Sequence, residues 1–250
     1  TGLSTYTVIA YLLALLITRA LVSNIKQRSQ VAGIGLYISL TLVIFTLTQG
    51  IMNKTDMIHL PYNLVFSAAN GVLSAVISIG IMPFFEGFFG VLTPFKILEL
   101  SNPNRPLLKR LLIEAPGTYH HSILVGNLAE TAAHDIGANS LLTRVAAFYH
   151  DVGKLERPYY YKENQVSHDN PHDKLPPQVS ANFIKNHMNY GVELLQKNKL
   201  PQEIIDVIKS HHGTSLIKYF YHREQQNNPD VDVVKFLYTG PKPDSKEAVI

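Results

Sequence analysis

Three stretches near the start of the chain are almost free of charge. Residues 5–23 are apolar apart from Arg19, residues 31–52 hold no charged residue, and residues 63–92 hold only Glu86. A helix needs about 20 mostly apolar residues to cross a hydrocarbon core. Soluble helices of that length ordinarily keep a polar face. The pattern therefore predicts three transmembrane helices within residues 1–92, with Arg19 reaching back toward a headgroup layer.

The segments between these runs set the expected orientation. Residues 24–30 carry Lys26 and Arg28 without an acid, and residues 53–62 set Lys54 against Asp56. Basic loops favour the cytoplasmic side, so the first loop and everything beyond about residue 92 are expected in the cytoplasm. Residues 93–118, broken by Pro103 and Pro106, read as a juxtamembrane connector. Lys109 and Arg110 there face either anionic headgroups or solvent.

From residue 119 the spacing becomes that of amphipathic helices. A helix over 119–136 is expected to turn Ile123, Leu124, Leu128, Ala132 and Ala133 inward. A second over 138–152 turns in Leu141, Leu142, Val145, Ala146 and Tyr149. A third over 177–197 uses Val179, Phe183, Ile184, Val192 and Leu195. A fourth over 201–212 uses Ile204, Ile205 and Ile208, with Pro201 suited to its first turn. Residues 155–176 are polar and proline-rich and read as a long loop, a feature that more often serves function than decoration. Residues 222–232 read as a mobile polar segment, 233–239 as a short apolar patch, and 241–250 as the start of another helix. No repeat and no strand pattern is visible, so the fold class is all-α.

Charge and histidine follow the same division. Residues 1–90 hold four of the 22 Lys and Arg and two of the 19 Asp and Glu, whereas ten of the 11 His lie beyond residue 119. The net charge of +3 is too small to point to a DNA or RNA polymer. The absence of Cys excludes disulfides and thiolate metal sites. The chain opens on Thr1 at the edge of an apolar run, without a basic segment or cleavage site, so no signal peptide is read. It is expected to be a piece of a longer chain.

Within the second region, AAFYHDVGK runs an apolar helix face into adjacent His150 and Asp151. Neutral imidazole and carboxylate are ligands for divalent first-row metals. Neighbouring residues on a helix point about 100 degrees apart, so the pair can face two adjacent ions. Gly153 is expected to end the helix as a glycine cap, and Lys154 to supply a cation for a phosphate oxygen. His121 near a helix start, His187 inside a helix, and His211-His212 at a helix end complete a set of inward-pointing candidates. Helix bundles commonly build dinuclear sites this way. Taken singly, each histidine is as well explained by packing or solvation.

The succession His121, His150-Asp151, His187 and His211-His212 resembles the HD-domain phosphohydrolases. The flanking stretches EAPGTYHHS, FYHDVGKLERPYYYKENQ, NPHDKLPP, SHHGTS and LELSNPNRPLLKRL resemble the membrane-embedded HD proteins called PgpH. That resemblance implies the last three of seven transmembrane helices, then a cytoplasmic all-helical HD bundle over 119–250. It implies hydrolysis of cyclic di-AMP to linear pApA in bacterial signalling, at a pair of Mn or Fe ions that share Asp151. It also implies a further Asp ligand in a helix after His211-His212. Here that helix opens at Lys246-Glu247, and Asp244 precedes it, so the bundle is expected to continue past Ile250. The GYP signature of the cyclic di-GMP branch is absent.

Around the metal ligands, Tyr159, Tyr160 and Tyr161 offer faces for an adenine or pack on their own helix. Tyr161, Asn164, His172 and Thr214 are candidate substrate contacts, with Asp173 beside the mouth; His59 and His222 are expected to be solvated. Two other readings stand beside the phosphodiesterase. One is an HD nucleotidase acting on other nucleoside phosphates, and the other a non-catalytic receptor for a cyclic dinucleotide. The expected partners are cyclic di-AMP and the lipid bilayer, with the oligomeric state left open.

Overall fold

The computed structural model describes residues 5–22, 25, 28–52, 58–166 and 169–250. It divides into two compact units, Thr1–Phe95 and Lys96–Ile250. In the first unit, α1 spans Thr5–Val22, α2 Arg28–Met52 and α3 Leu60–Phe89. Among the described residues two helices are long and apolar enough to cross a membrane, over Ser29–Ile51 and Leu60–Phe89, while the apolar part of α1 is the shorter Val8–Val22. The orientation argument rests on Lys26, Lys54 and Asp56, which lie outside the described residues, as does the side chain of Arg28.

α2 and α3 pack through small and hydroxyl-bearing residues. The Ser39 hydroxyl donates to the Ala68 carbonyl at 2.7 Å, and the Thr46 and Ser67 hydroxyls meet at 2.6 Å. Gly35 lies directly against Gly71 and Ala75. Small contacts with occasional polar bridges are how helices associate where lipid replaces water. Val65, Phe66, Val76, Phe84 and Phe88 of α3 point outward.

The second unit is helical throughout. α4 (Pro94–Leu100) and α5 (Pro106–Glu114) lead into α6 (Pro116–Asp135) and α7 (Ser140–Tyr149). Four short 3-10 turns follow, and then α8 (Pro177–Lys197), α9 (Gln202–Ser210), α10 (Lys218–Gln225) and α11 (Lys246–Val249). Among the described residues there is no strand, only an isolated antiparallel bridge between Leu216 and Leu237. Val145, Tyr149, Val152, Leu195, Ile204, Ile208 and Phe236 form the buried centre.

Several expectations need correction. Residues 93–118 are not a bare connector. Ile97, Leu100, Leu107, Leu108 and Leu111 are buried, and the Tyr149 hydroxyl donates to the Leu100 carbonyl at 2.7 Å. The proline breaks separate two helices that belong to the second unit's core.

The inward face of α6 also differs. Leu124 and Leu128 are 64% and 73% exposed, and the buried positions are Thr118, Ser122, Gly126, Ala129 and Ala133. α6 approaches α7 so closely that a Cβ on Gly126 would stand 2.5 Å from the Phe148 ring. Only small residues fit such a seam, so the large leucines turn out. Val179 is exposed as well. The segment expected to be mobile, 222–232, begins inside α10.

The described part of the long segment 155–176 is shaped by turns at Val152–Glu156, Pro158–Tyr160, Lys162–Asn164 and Pro171–Lys174. Gly153 is not a left-handed cap, since the positive-φ glycines are Gly90, Gly137 and Gly213. It is glycine because the turn after α7 presses on α8. A Cβ at 153 would lie 1.7 Å from the His187 carbonyl oxygen and 2.6 Å from the Gly191 nitrogen.

Candidate metal centre

The end of α7 delivers His150 and Asp151 to the middle of the helical unit. α6 brings His121 from one side, α8 brings His187 from beneath, and the end of α9 brings His211 and His212. The ligand atoms of Asp151, His187, His211 and His212 all lie within 4.8 Å of one another, and so do those of His121, His150 and Asp151. Asp151 belongs to both groups. All six residues singled out as metal ligands are thus brought together, with the buried carboxylate at the junction.

Three of the imidazoles are oriented from behind. The Nδ1 atoms of His150, His187 and His211 donate to the carbonyls of Ala147, Ile184 and Ile208 at 2.7, 2.5 and 2.6 Å. In each case the acceptor is the residue three positions earlier on the ring's own helix. A hydrogen-bonded Nδ1–H fixes the tautomer and leaves the Nε2 lone pair free for a metal. The Nε2 atoms of His150 and His187 lie 3.0 Å from Asp151 Oδ2 and 3.5 Å from Oδ1, that of His211 lies 3.4 Å from His187 Nε2, and that of His121 lies 3.9 Å from Asp151 Oδ2. His121 is the open member of the set, its side chain 49% exposed, and an accessible coordination side is what a catalytic centre needs.

The electrostatics favour neutral donors around one anion. Burial lowers the His211 pKa to about 3 and that of His212 to about 4, with neighbouring imidazoles adding to the effect. Burial also lowers His187. His150 runs the other way: burial opposes its charge, but the Asp151 carboxylate outweighs this and raises it. For Asp151, burial alone favours the acid form, yet His150 and Lys154 hold its pKa well below the usual carboxylate range. Uncharged imidazole beside ionised carboxylate is the protonation state that metal binding demands. This donor set, oxygen and nitrogen without sulfur, suits a divalent transition metal.

Lys154 lies beside the carboxylate, its Nζ 2.8 Å from Asp151 Oδ2 and 2.7 Å from Glu163 Oε1. Next to it opens a cavity of about 730 Å³, within the size range of small-molecule sites. Tyr160, Tyr161, Tyr219 and Phe220 give it aromatic walls, and His172, His187 and His212 also line it. Tyr161 packs edge-on to His187, and its ring lies 5.0 Å from Lys154 Nζ. His172 is buried between Tyr160 and Phe220, with its Nε2 donating to the Tyr160 carbonyl at 2.9 Å.

Other candidates fall elsewhere. The Asn164 amide is spent on structure: it accepts from the Thr118 nitrogen at 3.0 Å and donates to the Thr118 hydroxyl and the Pro158 carbonyl. The cavity wall does not include it. Thr214 is exposed and also outside that wall, and the hydroxyl of Tyr159 is bound to the Asp169 carbonyl. Asp244 is exposed and belongs to neither ligand group. Asp173 is exposed; its carbonyl and that of His172 accept from Arg223 of α10, which ties the segment down.

Sequence reasoning passed over Glu163 and Tyr238. The Tyr238 ring stacks on His212 with centroids 4.1 Å apart, and burial pushes its hydroxyl pKa upward. Its only sequence signal is membership of a short apolar patch.

A histidine-and-aspartate centre set among packed helices is the arrangement of an HD-type metal site. The family comparisons agree, and the chain belongs to the HD-domain family: the HD domain model matches residues 118–250. A second model, the 7TM receptor with intracellular HD hydrolase, matches residues 1–93. With the two long apolar helices, this marks a membrane-associated protein.

Among individual proteins, the cyclic-di-AMP phosphodiesterase PgpH of Bacillus subtilis is 45% identical over 90% of this chain and 32% of its own length. PgpH of Listeria monocytogenes is 44% identical over the same shares, so the chain spans about a third of the curated relatives it matches. The crystal structure of the L. monocytogenes PgpH HD domain in complex with cyclic di-AMP is 55% identical. It superposes with a TM-score of 0.57 and covers 59% of this chain and 69% of that one.

Proposed function

We propose that this chain anchors and carries the catalytic centre of a membrane-bound phosphodiesterase that hydrolyses cyclic di-AMP to linear pApA. The observation that supports it most is a single buried carboxylate, Asp151, shared by two histidine groups, with His187 and His212 of one group lining an aromatic cavity. The names of the PgpH relatives and the cyclic di-AMP complex of one of them point to the same substrate.

In this reading two Mn or Fe ions would be held with Asp151 contributing to both, one by His187, His211 and His212 and the other by His121 and His150. Such ions would supply Lewis acidity and activation of the attacking water. The chain's own residues do the rest. The Nδ1 bonds of His150, His187 and His211 keep the donors aimed. Lys154 presents an N–H to a phosphate oxygen and offsets its charge. Tyr160, Tyr161, Tyr219 and Phe220 give flat faces on which a nucleobase stacks, a contact available to any base. His172 is held rigidly in the same wall. In the same reading α1, α2 and α3 cross the bilayer, and the basic residues Lys26 and Arg28 of the first loop support a cytoplasmic HD unit.

The test uses the intact protein in detergent, loaded with Mn. It should release pApA from cyclic di-AMP faster than it cleaves cyclic di-GMP, nucleoside monophosphates or an RNA oligonucleotide. Preference for a nucleoside monophosphate would favour the nucleotidase reading. Tight cyclic di-AMP binding with no turnover under any metal would favour the receptor.

A further inference from the structure

The cation beside the centre does not stand alone. Lys154 Nζ is 2.7 Å from Glu163 Oε1, and the same carboxylate oxygen accepts from the Thr118 hydroxyl at 3.1 Å. Thr118 is fully buried in the first turn of α6, three residues before His121. The main chain at Glu163 is fixed as well. A Cβ on Gly117 would lie 1.8 Å from the Glu163 carbonyl oxygen, so this segment seats on α6 only because residue 117 has no side chain. Asn164 then closes the seat by pairing with both the nitrogen and the hydroxyl of Thr118. Glu163 is thus held by its neighbours on both sides while its carboxylate reaches Lys154.

We propose that Glu163 is a positioning residue that acts through Lys154, holding the ammonium on the cavity wall so that its remaining donor meets the substrate phosphate. An ammonium has three donors. Asp151 and Glu163 take two of them, on defined sides, and both Lys154 and Glu163 line the cavity. With Glu163 removed, the flexible lysine loses the contact that fixes its ammonium on the cavity wall. The Glu163 side chain is 31% exposed, and a partly exposed ion pair adds little to stability. Its effect therefore falls on turnover rather than on folding. The inference rests on the phosphodiesterase reading for its substrate, though not for its geometry.

A double-mutant cycle on the intact, Mn-loaded protein tests it, run in parallel on cyclic di-AMP and on the small diester bis(4-nitrophenyl) phosphate. E163Q should lower kcat/KM about tenfold and E163D should recover part of that, while K154A lowers it roughly a hundredfold. In the K154A background, E163Q should change kcat/KM by less than about twofold, because nothing remains for Glu163 to position. Melting temperature and Mn content should be unchanged in E163Q. The proposal is overturned if E163Q is as active as wild type, if its tenfold loss persists without Lys154, or if the loss tracks a fall in Mn content or melting temperature. A wild type that cleaves bis(4-nitrophenyl) phosphate but not cyclic di-AMP removes the substrate assignment alone, and the cycle is then read on the small ester.

Discussion

The two units of this chain obey opposite rules for the same side chains. On α3, Phe66, Val76 and Phe84 stand more than 60% exposed, and its buried residues are the small Gly71 and Ala75. On α9, Ile204, Ile205 and Ile208 are all buried, and the most consequential interior residue is a carboxylate, Asp151. Apolar positions are meant to leave water, and a lipid tail and a protein core serve equally well. Periodicity reports that only when water is the surroundings. An all-round apolar helix carries no face to read, whereas a polar group deep in a water-soluble unit signals chemistry because its burial is costly.

The largest expected effect lies at that buried carboxylate. Asp151→Ala should lower the rate of pApA release by at least about a thousandfold and strip bound metal, measured by turnover and elemental analysis, since both ligand groups lose their common member. Retained metal and turnover would move the centre elsewhere. A less drastic change breaks the contrast between the units directly. Val76 and Leu128 are both well exposed, at 61% and 73%. Val76→Lys should impair membrane insertion of α3 by about 2.5–3.5 kcal/mol in a glycosylation-mapping assay. Leu128→Lys should leave the unfolding free energy of the HD unit within about 0.5 kcal/mol of wild type. Equal effects at the two sites would remove the distinction.

Gly153→Ala comes next. The added Cβ meets the His187 carbonyl oxygen, so the turn after α7 has to lift from α8, at a cost of about 1–3 kcal/mol. Thermal unfolding should register the loss, and metal affinity should fall with it because His187 moves. The smallest effect is that of pH on the metal-free protein. His211, His212 and His187 have folded-state pKa values below the ordinary histidine value, so the unfolded chain binds protons more readily there. Their contribution is fully present above about pH 6.5 and is lost as pH falls toward 4. His150, with its raised pKa, offsets part of this loss. Melting temperature should stay flat from about pH 7 to 8 and decline below about 6.5; a maximum near pH 5 would contradict those environments.

Much of this was legible in the chain itself. The three apolar runs, the isoleucines of α9 and the His-Asp succession follow from pattern and residue chemistry. What escaped is what no local pattern encodes. α6 presents its serine, glycine and alanines inward because α7 lies so close, and from sequence alone the leucines look like the better core. Gly153 resembles an ordinary helix stop until α8 is seen against it. Glu163 is one acid in a polar loop, and its meaning comes from Thr118, 45 residues earlier. Asn164 looked like a ligand contact and is a clasp, because both its amide groups are taken by α6 and by its own turn.

The central claim is that one carboxylate joins two metal sites, and metal stoichiometry tests it most directly. Elemental analysis of the purified, Mn-loaded protein should give about two ions per chain for wild type and about one for His121→Ala, which thins only the group on the open side. A single ion per chain in the wild type, unchanged by removal of His121, would contradict a shared Asp151 and reduce the centre to one site.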